Sequence, residues 1–112
     1  MKDINEFCIR RSRNGRGVFV TKSYKAGDRL FEIEGNIISY PKNADMKKEF
    51  TDDYFRLGEN NFIDPEERLA FFVNHSCKPN AKIEKIRGKL YITAIFNLEN
   101  GEEVCIGDIP LQ

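Results

Sequence analysis

The chain carries no net charge: its Lys plus Arg count equals its Asp plus Glu count. A general nucleic-acid binder needs a basic excess, so that balance argues against direct nucleic-acid binding, though it leaves room for a locally acidic surface facing a basic peptide. No apolar run reaches the roughly 18 residues that cross a bilayer, and no hydrophobic leader follows Met1, so neither a membrane span nor secretion is expected. Cysteine is scarce and widely spaced, at Cys8, Cys77 and Cys105. An odd number at such spacings does not make a disulfide framework, and a reducing, cytoplasmic setting follows. A length of 112 residues leaves room for one domain, 1–112, with a single core.

What is present reads as short strands with little helix. Ile4–Arg11 is rich in β-formers, Ser12–Gly17 has the glycines of a turn or loop, and Val18–Tyr24 alternates as a strand does. Lys25–Asp28 is a turn, and Arg29–Gly35 and Asn36–Tyr40 read as two strands hinged at Gly35. Ala44–Phe50 has the composition of a loose helix. Tyr54–Asp64 suggests a hairpin turning at Gly58–Asn60. A short helix is expected next, with Asp64 as N-cap, Pro65 at its first position and Glu67 at the third. Ala81–Ile86 and Lys89–Phe96 form a hairpin about Arg87-Gly88, and Asn97–Gly101 turns into a last strand, Glu102–Ile106.

The segment "FFVNHSCKPN", Phe71–Asn80, concentrates chemistry. His75 and Cys77 make an H-x-C pair that Cys8 and Cys105 could complete as a Cys3His zinc site, but neither distant cysteine has a close partner, so no metal is expected. As a thiol centre the pair lacks a third orienting group, and Cys77 reads as a small packing residue. Gly15 and Gly17 make a G-x-G without the Lys-Ser/Thr of a phosphate loop, yet they allow a ligand to approach the backbone. The acidic pairs, Glu102-Glu103 among them, read as solvated turns. The tyrosines read as half-buried packing residues.

In order along the chain, these pieces resemble a SET domain, the fold of S-adenosylmethionine-dependent protein lysine methyltransferases. "RGVFVTKSYKAGDRLFEIEG" (Arg16–Gly35) is similar to the family's opening strands and "DDYFRLGENNFIDP" (Asp52–Pro65) to its central hairpin. "RLAFFVNHSCKPNA" (Arg68–Ala81) carries an N-H-S-C-x-P-N signature, and "KLYITAIFNLENGEEV" (Lys89–Val104) ends in G-E-E. At this length the chain resembles the minimal form of the domain found in viral and bacterial examples. The resemblance implies a mostly β fold, the β-clip, with several short sheets, one short helix and a threaded, knot-like C-terminal segment. It implies S-adenosyl-L-methionine as cofactor, contacted by Asn74 and His75 on one side and Arg16 and Gly17 on the other. Asn80 would hold the loop, and the partner would be a protein or peptide that presents a lysine.

The implied chemistry is displacement at a sulfonium carbon by a neutral amine. Lysine must first shed its proton and water shell, which an apolar channel favours. The protein then mainly holds donor and acceptor in line. Tyr54 stands where the family has a channel tyrosine. The family also closes with one or two tyrosines after G-E-E, and here none follows Tyr91. Ile106, Gly107 or Asp108 takes that place, Ile33 replaces the tyrosine usual near Gly35, and the nine residues after Glu103 make a short lid. Two readings therefore stand side by side: a working lysine methyltransferase that relies on Tyr54 and backbone carbonyls, or a weak or inactive SET-like module that binds S-adenosylmethionine or a peptide.

Overall fold

The computed structural model describes residues 6–13, 15–40 and 54–107. The helix expected at Ala44–Phe50 and the position of Asp108 lie outside the described residues.

Among the described residues, ten short strands make four small sheets. β1 (Phe7–Ser12) and β2 (Gly15–Val20) form an antiparallel ribbon. β3 (Arg29–Glu32), β8 (Ala81–Ile86) and β9 (Lys89–Ala94) form a sheet in the order β3-β9-β8. β4 (Asn36–Ser39), β5 (Phe55–Arg56) and β6 (Asn61–Asp64) form another in the order β4-β6-β5. β7 (Asn74–Ser76) and β10 (Cys105–Gly107) pair in parallel.

Period-two burial explains how such small sheets share one core. Val18 and Val20 of β2, and Leu90, Ile92 and Ala94 of β9, are buried at alternate positions. Leu30, Ile33, Leu98, Val104 and Ile106 join them in a continuous cluster. Phe7 stacks on Tyr24 at 5.7 Å and meets Phe31 edge-on at 5.1 Å, closing that cluster under the ribbon. The β8–β9 turn is the two-residue kind in which both central residues have positive φ, and Arg87 (50°) and Gly88 (81°) supply them. Gly35 has a different reason: a Cβ there would lie 2.0 Å from the carbonyl oxygen of Asp64. The hinge between β3 and β4 runs against the end of β6, and only glycine fits.

Two expectations change. The turn or loop expected over Ser12–Gly17 is shorter than that, because β2 starts at Gly15 and its first residues pair with the end of β1. The short helix is a single 3-10 turn, Leu69–Phe72, with Arg68 at its N-cap position and no side-chain cap, rather than a helix opening at Asp64. Asp64 stays in β6, paired with Asn36. Its Oδ1 accepts a hydrogen bond from the Glu66 N–H (3.0 Å), and Glu66 takes φ 53°. A left-handed residue at the second position stops an α-helix from starting, so the residues that read as an N-cap make a turn instead.

Candidate active site

β2 is the axis of the site. One edge pairs with β1 and the other with the Gly101–Val104 segment. There the Val20 N–H donates to the Glu102 carbonyl (3.0 Å), the Val104 N–H donates to the Val18 carbonyl (2.8 Å), and Phe19 bridges to Glu103. This places the Glu103 side chain on the face of Gly17. A Cβ on Gly17 would lie 2.2 Å from Glu103 Oε2 and 3.1 Å from Asn74 Nδ2. The missing side chain of Gly17 is therefore the space that the carboxylate occupies.

That carboxylate ties three segments together. Ser12 Oγ donates to Oε1 (2.7 Å) and Asn74 Nδ2 donates to Oε2 (2.7 Å). Asn74 Nδ2 also donates to the Arg16 carbonyl (2.9 Å), so both amide hydrogens are spent inside the protein. What Asn74 can offer a ligand is its carbonyl oxygen, an acceptor. Asn80 fixes the other side of the junction: Nδ2 donates to the Glu103 carbonyl (2.8 Å), and Oδ1 accepts from the Cys105 N–H (2.9 Å). Its backbone N–H donates to the Cys105 carbonyl (3.1 Å). Asn80, just before β8, thus ties its loop to Glu103 and to the start of β10.

Of the residues singled out in the sequence, Arg16, Gly17, Asn74 and His75 come to this junction. Gly17 is buried, Asn74 is half-buried, and Arg16 and His75 are exposed. His75 pairs with Ile106 in the parallel β7–β10 ladder. Tyr54 is half-buried just before β5, in a different sheet, and makes no hydrogen bond to the junction among the described residues. Cys77 is exposed and does not pack, contrary to its expected role. Cys8 and Cys105 are the partly buried thiols, and at Cys105 burial, with the Glu103 carboxylate nearby, pushes the thiol up from its ordinary value. Ile106 is 2% exposed and belongs to the core, so it does not face a channel. Among the described residues no three His, Cys, Asp or Glu side chains gather as a metal site.

The sequence reading missed Glu103 and Ser12. Glu103 was grouped with Glu102 as a solvated acidic pair. The two differ: Glu102 is exposed, and Glu103 is half-buried and accepts from Ser12 and Asn74. Its mark in the sequence was its place in the G-E-E that carries part of the family resemblance, which gave it no role of its own.

The family model that matches the chain is the SET domain, over residues 15–107. The chain is similar to "Histone-lysine N-methyltransferase, H3 lysine-36 specific" of Yarrowia lipolytica, at 32% identity over 108 residues, covering 86% of this chain and 14% of that protein. It resembles the protein of the same description from Eremothecium gossypii at 35% identity over 107 residues, 82% of this chain and 15% of that one. "Histone-lysine N-methyltransferase, H3 lysine-4 specific" of Aspergillus oryzae is 34% identical over 101 residues, 79% of this chain and 8% of the relative. The chain belongs to the SET domain family. It spans 15% or less of the length of these curated relatives.

Proposed function

We propose that the chain is a protein-lysine N-methyltransferase whose S-adenosylmethionine binds at the junction of β2, β7 and the Gly101–Val104 segment. The observation that carries this reading is the convergence, through Glu103, of the three signature pieces: Arg16-Gly17, Asn74-His75 and the G-E-E glutamate. The residues fit the cofactor's polar groups. Arg16 offers an exposed cation suited to a carboxylate, and the carbonyl oxygen of Asn74 is an acceptor suited to an ammonium. His75, exposed on β7, completes that side. When bound, the cofactor supplies an electrophilic methyl group on sulfur.

The chain's own part is positioning. Asn74 cannot rotate without breaking its bonds to Arg16 and Glu103, so its oxygen is fixed before a ligand arrives. Tyr54 is the candidate to orient the lysine amine through its hydroxyl. The substrate is a lysine in a protein, and the names of the relatives point to a histone tail as the first to try. The setting we assign is the cytoplasm, a reducing one, in keeping with three free cysteines. Described residues include no helix long and apolar enough to cross a membrane.

A second reading, a module that binds without efficient transfer, draws on Ile106. That position is filled by a core aliphatic, and no tyrosine follows Tyr91 in the chain. Two measurements separate the readings. Calorimetric titration with S-adenosylmethionine should show saturable binding, and its absence sinks the enzyme and leaves at most a module that binds a peptide. Mass spectrometry of histone H3 incubated with protein and cofactor should show a lysine gaining one or more methyl groups. Binding without that gain leaves the module.

A further inference from the structure

A neutral total hides a segregated charge. From Phe7 to Gly27 the chain carries four arginines and two lysines and not one acidic residue. The arginines, Arg10, Arg11, Arg13 and Arg16, all lie on the β1–β2 ribbon and all are exposed. The base of the ribbon is buried at Phe7, Val18 and Val20, and its outer half is open to solvent.

Arg11 and Arg16 face each other across the ladder, with Arg13 just beyond Ser12. Like charges directly opposite on a two-stranded ribbon destabilise it. Among the described residues no carboxylate pairs with Arg11, Arg13 or Arg16. Arg10 is held on the opposite face, 4.4 Å over the Phe19 ring. The neighbouring carboxylate, Glu103, is already occupied by Ser12 and Asn74. Positive charge that no described carboxylate pairs with, set at a ribbon tip, suits a polyanion.

We propose that the β1–β2 ribbon is a nucleic-acid contact surface that binds the phosphate backbone of duplex DNA without reading its sequence. Shape and charge together favour this partner over an acidic peptide. A two-stranded ribbon enters a major groove about 12 Å wide, and guanidinium forks match phosphate oxygens. A duplex presents one charge about every 1.7 Å along its axis, enough for several close-set arginines at once. Because the chain is neutral overall, the contact is confined to this end and fixes an orientation. It concerns a surface outside the proposed cofactor contacts except for Arg16, and it stands or falls independently of methyl transfer.

The test is fluorescence anisotropy of a short mixed-sequence duplex with the whole chain, over a series of salt concentrations. Three arginine contacts predict a log–log salt slope of about −3, with a dissociation constant in the non-specific range of about 10⁻⁴–10⁻⁶ M near physiological salt. Arg11→Ala and Arg13→Ala should each lower that slope by about one. The double variant Arg11→Glu/Arg13→Glu should weaken binding about 10-fold or more at low salt. It should also fold well, since the first change sets opposite charges across the ladder from Arg16. Lys85→Glu/Lys89→Glu, on the exposed end of the β8–β9 hairpin, changes the net charge equally and should leave binding within about twofold. No binding at low salt overturns the proposal. So does an equal loss in the Lys85/Lys89 variant, which would mean diffuse attraction. Polyglutamate competing as well as DNA at equal charge overturns it in favour of an acidic protein partner.

Discussion

Replacing Gly17 by alanine asks whether Glu103 is the keystone of the site. The new methyl carbon would sit 2.2 Å from Oε2 and 2.8 Å from Cδ of Glu103. Those atoms are the end of a flexible side chain, so the carboxylate can swing away, but only by releasing Ser12 and Asn74. A hydrogen bond to a charged acceptor contributes about 1.5–3 kcal/mol, and partial exposure puts these two near the lower end, about 3 kcal/mol together. Alanine returns up to about 1 kcal/mol by narrowing the unfolded ensemble. The net loss is about 2 kcal/mol, a fall in Tm of roughly 8 °C for a domain of this size. The assay is thermal or urea unfolding of wild type, Gly17→Ala, Glu103→Ala and the double variant. Once Glu103 is truncated the methyl has room, so Gly17→Ala should cost almost nothing in that background. Additive losses around the cycle, or a Gly17→Ala protein as stable as wild type, would refute the packing argument.

Gly35→Ala should cost more, at least about 3 kcal/mol in urea unfolding, because its methyl meets the Asp64 carbonyl oxygen at 2.0 Å and Pro65 Cα at 2.8 Å, and backbone cannot step aside. Tyr54→Phe should lower methyl transfer to histone H3 by 10-fold or more while the calorimetric affinity for S-adenosylmethionine stays within about twofold, since only a hydroxyl is lost. Ile106→Tyr should lose about 1–3 kcal/mol on unfolding and gain no activity, because that side chain points into the core. Tyr24 is pushed from 10.0 up to about 12, first by burial and then by the Glu6 and Asp28 carboxylates. A phenol raised in the folded state makes stability fall as pH climbs from about 10 to about 12, and ultraviolet titration should show one of the four tyrosines ionising last.

The strands were legible where the pattern was local. Val18–Val20 and Leu90–Ala94 alternate, and Arg87-Gly88 announces its turn, so the β2 core positions and the β8–β9 hairpin follow from spacing alone. The helix start at Asp64-Pro65 was misread because aspartate serves an N-cap and an Asx turn equally well, and the choice depends on Asp64 being held in β6 by Asn36. Asn74 and His75 stood out through the company they keep in Phe71–Asn80. Glu103 did not, because its meaning lies in Ser12 and Gly17, residues about 90 positions away that no local window contains. Cys77 was misjudged for a similar reason, since nothing in an H-S-C run tells which side faces water.

The hydrogen bond from Ser12 to Glu103 joins residues 91 apart in sequence. A partly folded chain, with either end still loose, therefore lacks the junction that Glu103 ties together. Closing so long a loop carries an entropic cost, and a fold dominated by such distant contacts is expected to form slowly. The same dependence works in reverse. A ligand seated at that junction binds only the finished molecule, so at 100 times its dissociation constant it should stabilise the whole domain by about 2.7 kcal/mol. Protection should then reach amides as far from the junction as those of the β8–β9 hairpin, wherever exchange requires the whole domain to open.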